Sequence, residues 1–245
     1  MLTHMRSLSV TDSIRMAIVC SSSDPGVNAR AAHPQPVRND VHAVQRRYTG
    51  EVMSTHVIPK QLSIQDFVSE LHKFPEKSFV PTGEILAFLE RTSVAPESLE
   101  PYLNWDRQHY TRNLIDKTPL YELIAICWEV GQVSSVHNHR DQNCWMSAPI
   151  GRLEVENFHL VSQDVEHGQS ELVPTNTVEM NSTHPCAVNP SDPVHRVVNS
   201  KKFGERAVSL HIYSRPFDSC VVYSPEQGTC GVIKLHYTTM FGKPA

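Results

Sequence analysis

Two histidines one residue apart, His137 and His139 in the run HNH, are the sharpest chemical signal in the chain. In an extended strand residues two apart share a face, so both imidazoles can reach one ion. Taken alone, the pair also fits polar strand positions satisfied by their neighbours, because the chain holds fourteen histidines in all. A second pattern lies at Ser209, His211 and Tyr213, which alternate through the run SLHIY. A hydroxyl, an imidazole and a phenol on one strand face can form a chain of hydrogen bonds that orients the phenol. The plainer reading of that run is an ordinary barrel strand with its polar side exposed.

These residues sit in a β-rich half of the sequence. After about residue 120 the chain consists of short runs rich in Val, Ile, Leu, Tyr and Trp, separated by Gly, Pro, Asn, Asp and Ser clusters. About nine or ten strands are predicted, including 121–129, 152–160, 206–213 and 231–237, at the spacing of a sandwich or barrel. No helix-length segment interrupts them. Upstream, Ile64, Phe67, Val68 and Leu71 follow the helical period behind Ser63, a natural cap with Asp66 three residues on. A second amphipathic stretch runs from Glu84 to Arg91, punctuated by Pro81 and Gly83. Residues 1 to about 55 mix Ser, Pro, Asn, Arg and Gly with few periodic apolar positions, the composition of a segment that buries no core.

Bulk properties narrow the function. A net charge of −4 offers no cationic field for a phosphate backbone, so nucleic acid is not an expected partner. No apolar run approaches bilayer length, so no membrane is expected either. The six cysteines lack the paired short spacings of a zinc ribbon or a small disulfide scaffold, which points to a reducing, cytoplasmic setting. A monomer is the expected state.

The context of the histidine pair is more specific than the pair. Five residues separate Gly131 from His137, four separate His139 from Cys144, and six separate Cys144 from Gly151. That spacing resembles the first cupin motif, with cysteine where most cupins place glutamate. Pro190, His195 and Asn199 echo the second cupin motif, with Asp192 where glycine is usual. With Cys144 in place of the carboxylate, His137, His139 and His195 would make a neutral three-histidine face with positions open to exogenous molecules. Iron(II) is then the leading metal, and zinc remains compatible with the ligand types.

With those residues in hand, the chain from about Tyr110 onward resembles the cysteine dioxygenase type I family of thiol dioxygenases. The likeness is carried by YTRNLID (110–116), ICW (126–128), HNHRDQNC (137–144), HRVVN (195–199) and AVSLHIYSRPFDSC (207–220). It implies a mainly β fold: a cupin jelly-roll β-barrel with a small N-terminal helical subdomain. The division expected is a disordered extension at 1–55 and a cupin dioxygenase domain at 56–245, with helices at about 62–106 and the barrel at about 110–240.

The resemblance also implies roles. His137, His139 and His195 become the iron(II) ligands, and Arg112 the group that holds the substrate carboxylate, a task suited to its planar fork. Tyr213 sits beside the iron with His211 and Ser209 behind it, and in relatives with cysteine at the position of Cys144 a thioether joins that cysteine to the tyrosine. Tyr110 adds a second phenol near the substrate, Trp128 packs in the barrel wall, and Cys220 lies near the site mouth without a catalytic role. The activity implied is addition of both atoms of dioxygen to the sulfur of L-cysteine, giving cysteine sulfinate. Two rivals stand beside it: a dioxygenase of another small thiol such as 3-mercaptopropionate, and a non-catalytic metal-binding cupin. Related mercaptopropionate dioxygenases place glutamine where Arg112 stands, which favours cysteine, but carry arginine near Arg215, which does not. Animal relatives have a cis proline at that point, and a non-proline residue makes cis costly by roughly 3 kcal/mol. The turn beside Tyr213 is therefore expected to differ.

Overall fold

A computed structural model describes residues 58–80, 83–188 and 193–245. The expected N-terminal extension, Pro81, and the Pro190 and Asp192 positions of the second motif lie outside the described residues.

The helical part forms as its periodicity predicts. Helix α1 (Ile64–Leu71) starts at Ser63, whose side chain accepts from the Asp66 N–H at 3.1 Å, and it buries Ile64, Phe67 and Leu71. Helix α2 (Glu84–Arg91) buries Ile85, Phe88 and Leu89. A parallel pair of three-residue strands, β1 (Lys60–Leu62) and β2 (Thr92–Val94), brackets the two helices. Phe67 and Phe88 meet with ring centroids 5.1 Å apart, and Phe79 stacks on Tyr121 at the same distance.

Thirteen further strands follow: β3 (Thr111–Lys117), β4 (Glu122–Trp128), β5 (Val136–His137), β6 (Asn143–Ile150), β7 (Leu153–Asp164), β8 (Gln169–Met180), β9 (Cys186–Ala187), β10 (Val194–Val198), β11 (Ala207–Ser214), β12 (Ser219–Ser224), β13 (Thr229–Lys234), β14 (Thr239–Met240) and β15 (Lys243–Pro244). They form a seven-stranded sheet, β15-β14-β3-β4-β11-β6-β9, and a closed ring, β10-β5-β12-β13-β8-β7. Between them lies an interior of Leu114, Ile124, Ile126, Met146, Leu153, Val155, Met180 and Val197. The outer face of the larger sheet packs under the helices through Leu123, Ala125, Cys127, Val208, Leu210 and Ile212. Strands β4 and β11 are buried on both faces, which explains their nearly unbroken apolar runs. The architecture is the expected one, a mainly β jelly-roll barrel of cupin type preceded by a few helices.

Two strand boundaries move. The segment predicted at 152–160 extends to Asp164 because β7 and β8 form a twelve-residue hairpin whose far end is largely exposed and lacks apolar alternation. The segment predicted at 231–237 ends instead at Lys234, after which Leu235 bonds back to the Asp218 carbonyl. Gly151 turns the chain between β6 and β7 at φ +69°, and a Cβ there would lie 2.5 Å from the Arg206 carbonyl oxygen. Only glycine fits so close an approach.

Candidate metal centre

The ring of strands brings three histidines together. His137 ends β5 and faces His195 of β10 in direct register, while β12 flanks β5 on its other side. Strand β5 ends before His139, yet that residue stays on the same side of the chain because Asn138 is pinned outward. Its side-chain oxygen accepts from the Val221 N–H at 3.1 Å and its amide donates to the Tyr223 hydroxyl. The ring centroids of His137, His139 and His195 lie 4.8–5.1 Å apart, and one ligand atom from each falls within 4.8 Å of the others.

Their electrostatics suit a cation. Both ring nitrogens of His139 and of His195 are buried without a hydrogen-bond partner, an uncommon condition that a coordinated ion would relieve. His137 Nδ1 bonds to the Ser135 carbonyl at 2.8 Å, which leaves its Nε2 available as a lone-pair donor. Burial pushes His137 down to about 4 and drives His139 and His195 well below the ordinary imidazole value, with neighbouring histidines adding to the shift in those two. All three rings are therefore neutral at pH 7. The donor set fits a metal ion.

The motif asparagine lies apart from this centre. Asn199 donates its side-chain amide to the carbonyls of Trp128, Glu129 and Glu205 at 3.0–3.2 Å and ties three chain segments together at the far end of β10.

A small cavity opens in front of the histidines, lined by Tyr110, Arg112, His137, His139, Tyr213, Phe217 and Cys220 among others. Arg112 has two guanidinium nitrogens, Nε and Nη2, buried without partners. Burial penalises its charge, but Tyr213, Tyr110 and Glu122 around it more than offset that, leaving its pKa above the ordinary value. Ser209, His211 and Tyr213 project to one face of β11, with Ser209 Oγ 2.8 Å from His211 Nε2 and Tyr213 Oη 3.1 Å from His211 Nδ1. Burial lowers His211 to about 3 and raises the Tyr213 phenol well above its usual value. Cys144 stands directly opposite Tyr213 across the β6–β11 ladder. Its thiol is also raised by burial.

Trp128 is buried in the wall as expected, where it also stacks on Tyr110 at 4.7 Å and donates from Nε1 to Ser209 Oγ at 2.9 Å. One expectation is corrected. The turn after Tyr213 does not change on account of Arg215, since the Ser214–Arg215 peptide is cis without proline. The Arg215 N–H donates to Gln142 Oε1 at 2.7 Å, and the Ser214 hydroxyl donates to the Phe79 carbonyl at 2.6 Å. The Arg215 side chain points away from the cavity to Glu76, 3.0 Å distant, both of them about two-thirds exposed.

One buried charge was missed. Glu122 is fully buried, stands in register with Tyr213, accepts from the Tyr237 hydroxyl at 2.5 Å and lies 3.6 Å from Lys117. Its alternation with Ile124 and Ile126 placed it on the interior face, and that was the signal available.

A jelly-roll barrel with a trio of neutral imidazoles, two of them fully buried, beside an open cavity defines a metal-binding cupin. The profile of the family "Cysteine dioxygenase type I" matches residues 53–226. Cysteine dioxygenase type 1 of Danio rerio is 27% identical over 187 residues, covering 76% of this chain and 91% of that protein. The Rattus norvegicus protein of the same description is 29% identical, and that of Homo sapiens 28%, each over 75% of this chain and 90% of its own. Among solved structures, the Schizosaccharomyces pombe Cnp3 cupin domain is similar over 47% of this chain and 66% of its own, at 13% identity and TM-score 0.35. The chain belongs to the cysteine dioxygenase type I family and is a dioxygenase enzyme.

Proposed function

We propose that this enzyme uses iron(II), held by His137, His139 and His195, to add both atoms of dioxygen to the sulfur of L-cysteine, giving cysteine sulfinate. The observation that carries the reading is a neutral three-histidine face and a guanidinium with two buried, unpartnered nitrogens opening onto one cavity. Iron(II) supplies the redox capacity and the open positions through which a thiolate and dioxygen react.

The protein's own residues do the rest. Arg112 offers Nε and Nη2 as a fork for the substrate carboxylate and so fixes where the thiol lies. Tyr213 keeps its proton at neutral pH and acts as a donor beside the reacting sulfur, with Tyr110 as a second phenol. Phe217, Val222, Ile233 and Leu235 line the cavity and keep much of the water out. The thiol gives up its proton and the sulfur takes both oxygen atoms, so no external reductant is consumed. Arg215 pairs with Glu76 outside the cavity, so Arg112 is the cation that lines the pocket among the described residues and is placed to take the substrate carboxylate.

We also propose that Cys144 and Tyr213 form a thioether with dioxygen as oxidant. Directly opposed residues on antiparallel strands have Cβ atoms about 5 Å apart, which supports the pairing. The product would show an intact mass lower by the hydrogen atoms that the carbon–sulfur bond displaces. Free thiols at the five described cysteines support a cytoplasmic setting, and a monomer is the state proposed.

The deciding experiment incubates the iron-loaded protein with cysteine and oxygen and assays for the sulfinate. Oxygen uptake with cysteine but little with 3-mercaptopropionate is expected. Preference for the thiol lacking the amine would replace the substrate assignment, and no uptake with any thiol would leave a binding cupin.

A further inference from the structure

We infer that Glu122 is a positioning residue for the substrate: it is the resident counter-charge of Arg112, held off the guanidinium's open fork by Tyr237 so that the fork stays free for a carboxylate. This rests on the reading of Arg112 as the group that takes the substrate carboxylate. A guanidinium is charged at any pH a protein meets, and a charge taken out of water needs an opposite charge near it. Among the buried described residues Glu122 is the single acid. It stands on the same interior face as Arg112, which pairs with Ile126 across β3 and β4, and it lies two inward positions further along β4. The guanidinium reaches toward that end, since it interacts with the phenol of Tyr213, the residue directly opposite Glu122 on β11.

The two charges act on each other without touching. Glu122 Oε1 and Arg112 Nε and Nη2 are all buried without hydrogen-bond partners, so none of these atoms bonds to another. Glu122 Oε2 instead accepts from the Tyr237 hydroxyl at 2.5 Å, and Lys117 Nζ lies 3.6 Å from it with its side chain 40% exposed. Water weakens the hold of that partly exposed ammonium, so much of the carboxylate's field is left to act inward. Tyr213 and Tyr110 also flank Arg112, but burial raises both phenols, so both are uncharged at pH 7 and supply no counter-charge. Coulomb attraction falls only as the inverse of distance, whereas a hydrogen bond is lost as soon as its atoms are out of reach. A carboxylate held back by Tyr237 therefore stabilises the cation without filling the fork that a substrate must enter.

The test begins with urea unfolding of the full chain without substrate, as a double-mutant cycle on Glu122→Gln and Arg112→Met. Glutamine keeps the shape and an oxygen for the Tyr237 hydroxyl but not the charge. It should lower the unfolding midpoint in the wild-type background and leave it unchanged or raise it in Arg112→Met, where the carboxylate has lost its cation. In the iron-loaded enzyme Glu122→Gln should also lower KM for cysteine by about tenfold, because the substrate carboxylate no longer meets a second anion behind the guanidinium. A role confined to tying Tyr237 and Lys117 to β4 would give the same loss of midpoint in both backgrounds and would not tighten substrate binding.

Equal losses in the two backgrounds would overturn the inference, as would an unchanged or raised KM in a Glu122→Gln enzyme that folds like the wild type. Should Glu122→Gln fail to fold alone, recovery of folding in the double variant would support the coupling and failure there would overturn it. If the wild type formed no sulfinate, the substrate reading would fall while the unfolding cycle still decided whether the two charges are coupled.

Discussion

Strand β11 presents two faces that share a backbone and little else. Outward, Val208, Leu210 and Ile212 pack under the helices among Phe67, Phe79 and Trp145. Inward, Ser209, His211 and Tyr213 are just as buried but polar, and each is bonded to the next. The outward face is held by area removed from water and tolerates reshaping in proportion to the volume lost. Its inward counterpart is held by a count of donors and acceptors, in which one missing proton leaves a buried group unsatisfied. Stability and chemistry thus read alternate residues of one strand.

That division can be broken by experiment. The largest effect is expected opposite the inward face: His139→Ala should leave a protein that folds but does not retain iron, with no measurable oxygen uptake. Stoichiometric iron with undiminished uptake would refute the ligand assignment. Arg112→Ala should lower kcat/KM for cysteine roughly 100-fold by removing a charge-assisted fork, while iron content stays at the wild-type level.

Leu210→Ala sharpens the contrast from the other side. It should cost about 2–5 kcal/mol in chemical unfolding, yet keep kcat per bound iron within about twofold. Comparable losses of kcat in this variant and in those of the inward face would erase the distinction drawn between the two.

The smallest effect concerns acid. His211 titrates near 3 when folded against the ordinary value of about 6.5 when unfolded, so on acidification the unfolded chain binds the proton first. Stability should therefore fall as the pH drops from about 6.5 toward 3. Urea unfolding midpoints at several pH values should decline less steeply in His211→Gln. Identical slopes would mean that the ring is not held neutral by its surroundings.

Much of this was legible because it is local. The Ser63 cap and the apolar period of α1, the alternation along β11 and the spacing from Gly131 to Gly151 are all properties of short windows. What was not legible depends on partners far along the chain. The Glu122–Tyr237 contact spans 115 residues, and Trp128 meets Ser209 across 81. Strand β9 is two residues long, too short to show any period. The cis peptide at Arg215 rests on contacts with Gln142 and Phe79 that no local pattern announces.

The facing of His195 on His137 carries a last implication. Side chains on a strand alternate, so a slip of β10 by one residue would send His195 to the outside and bring a neighbour such as Val194 in. A barrel assembled with that error would lose one of its three imidazoles and be unable to grip an ion. Cation uptake is in this sense a proofreader of strand alignment: the molecules that load are those whose ring closed correctly.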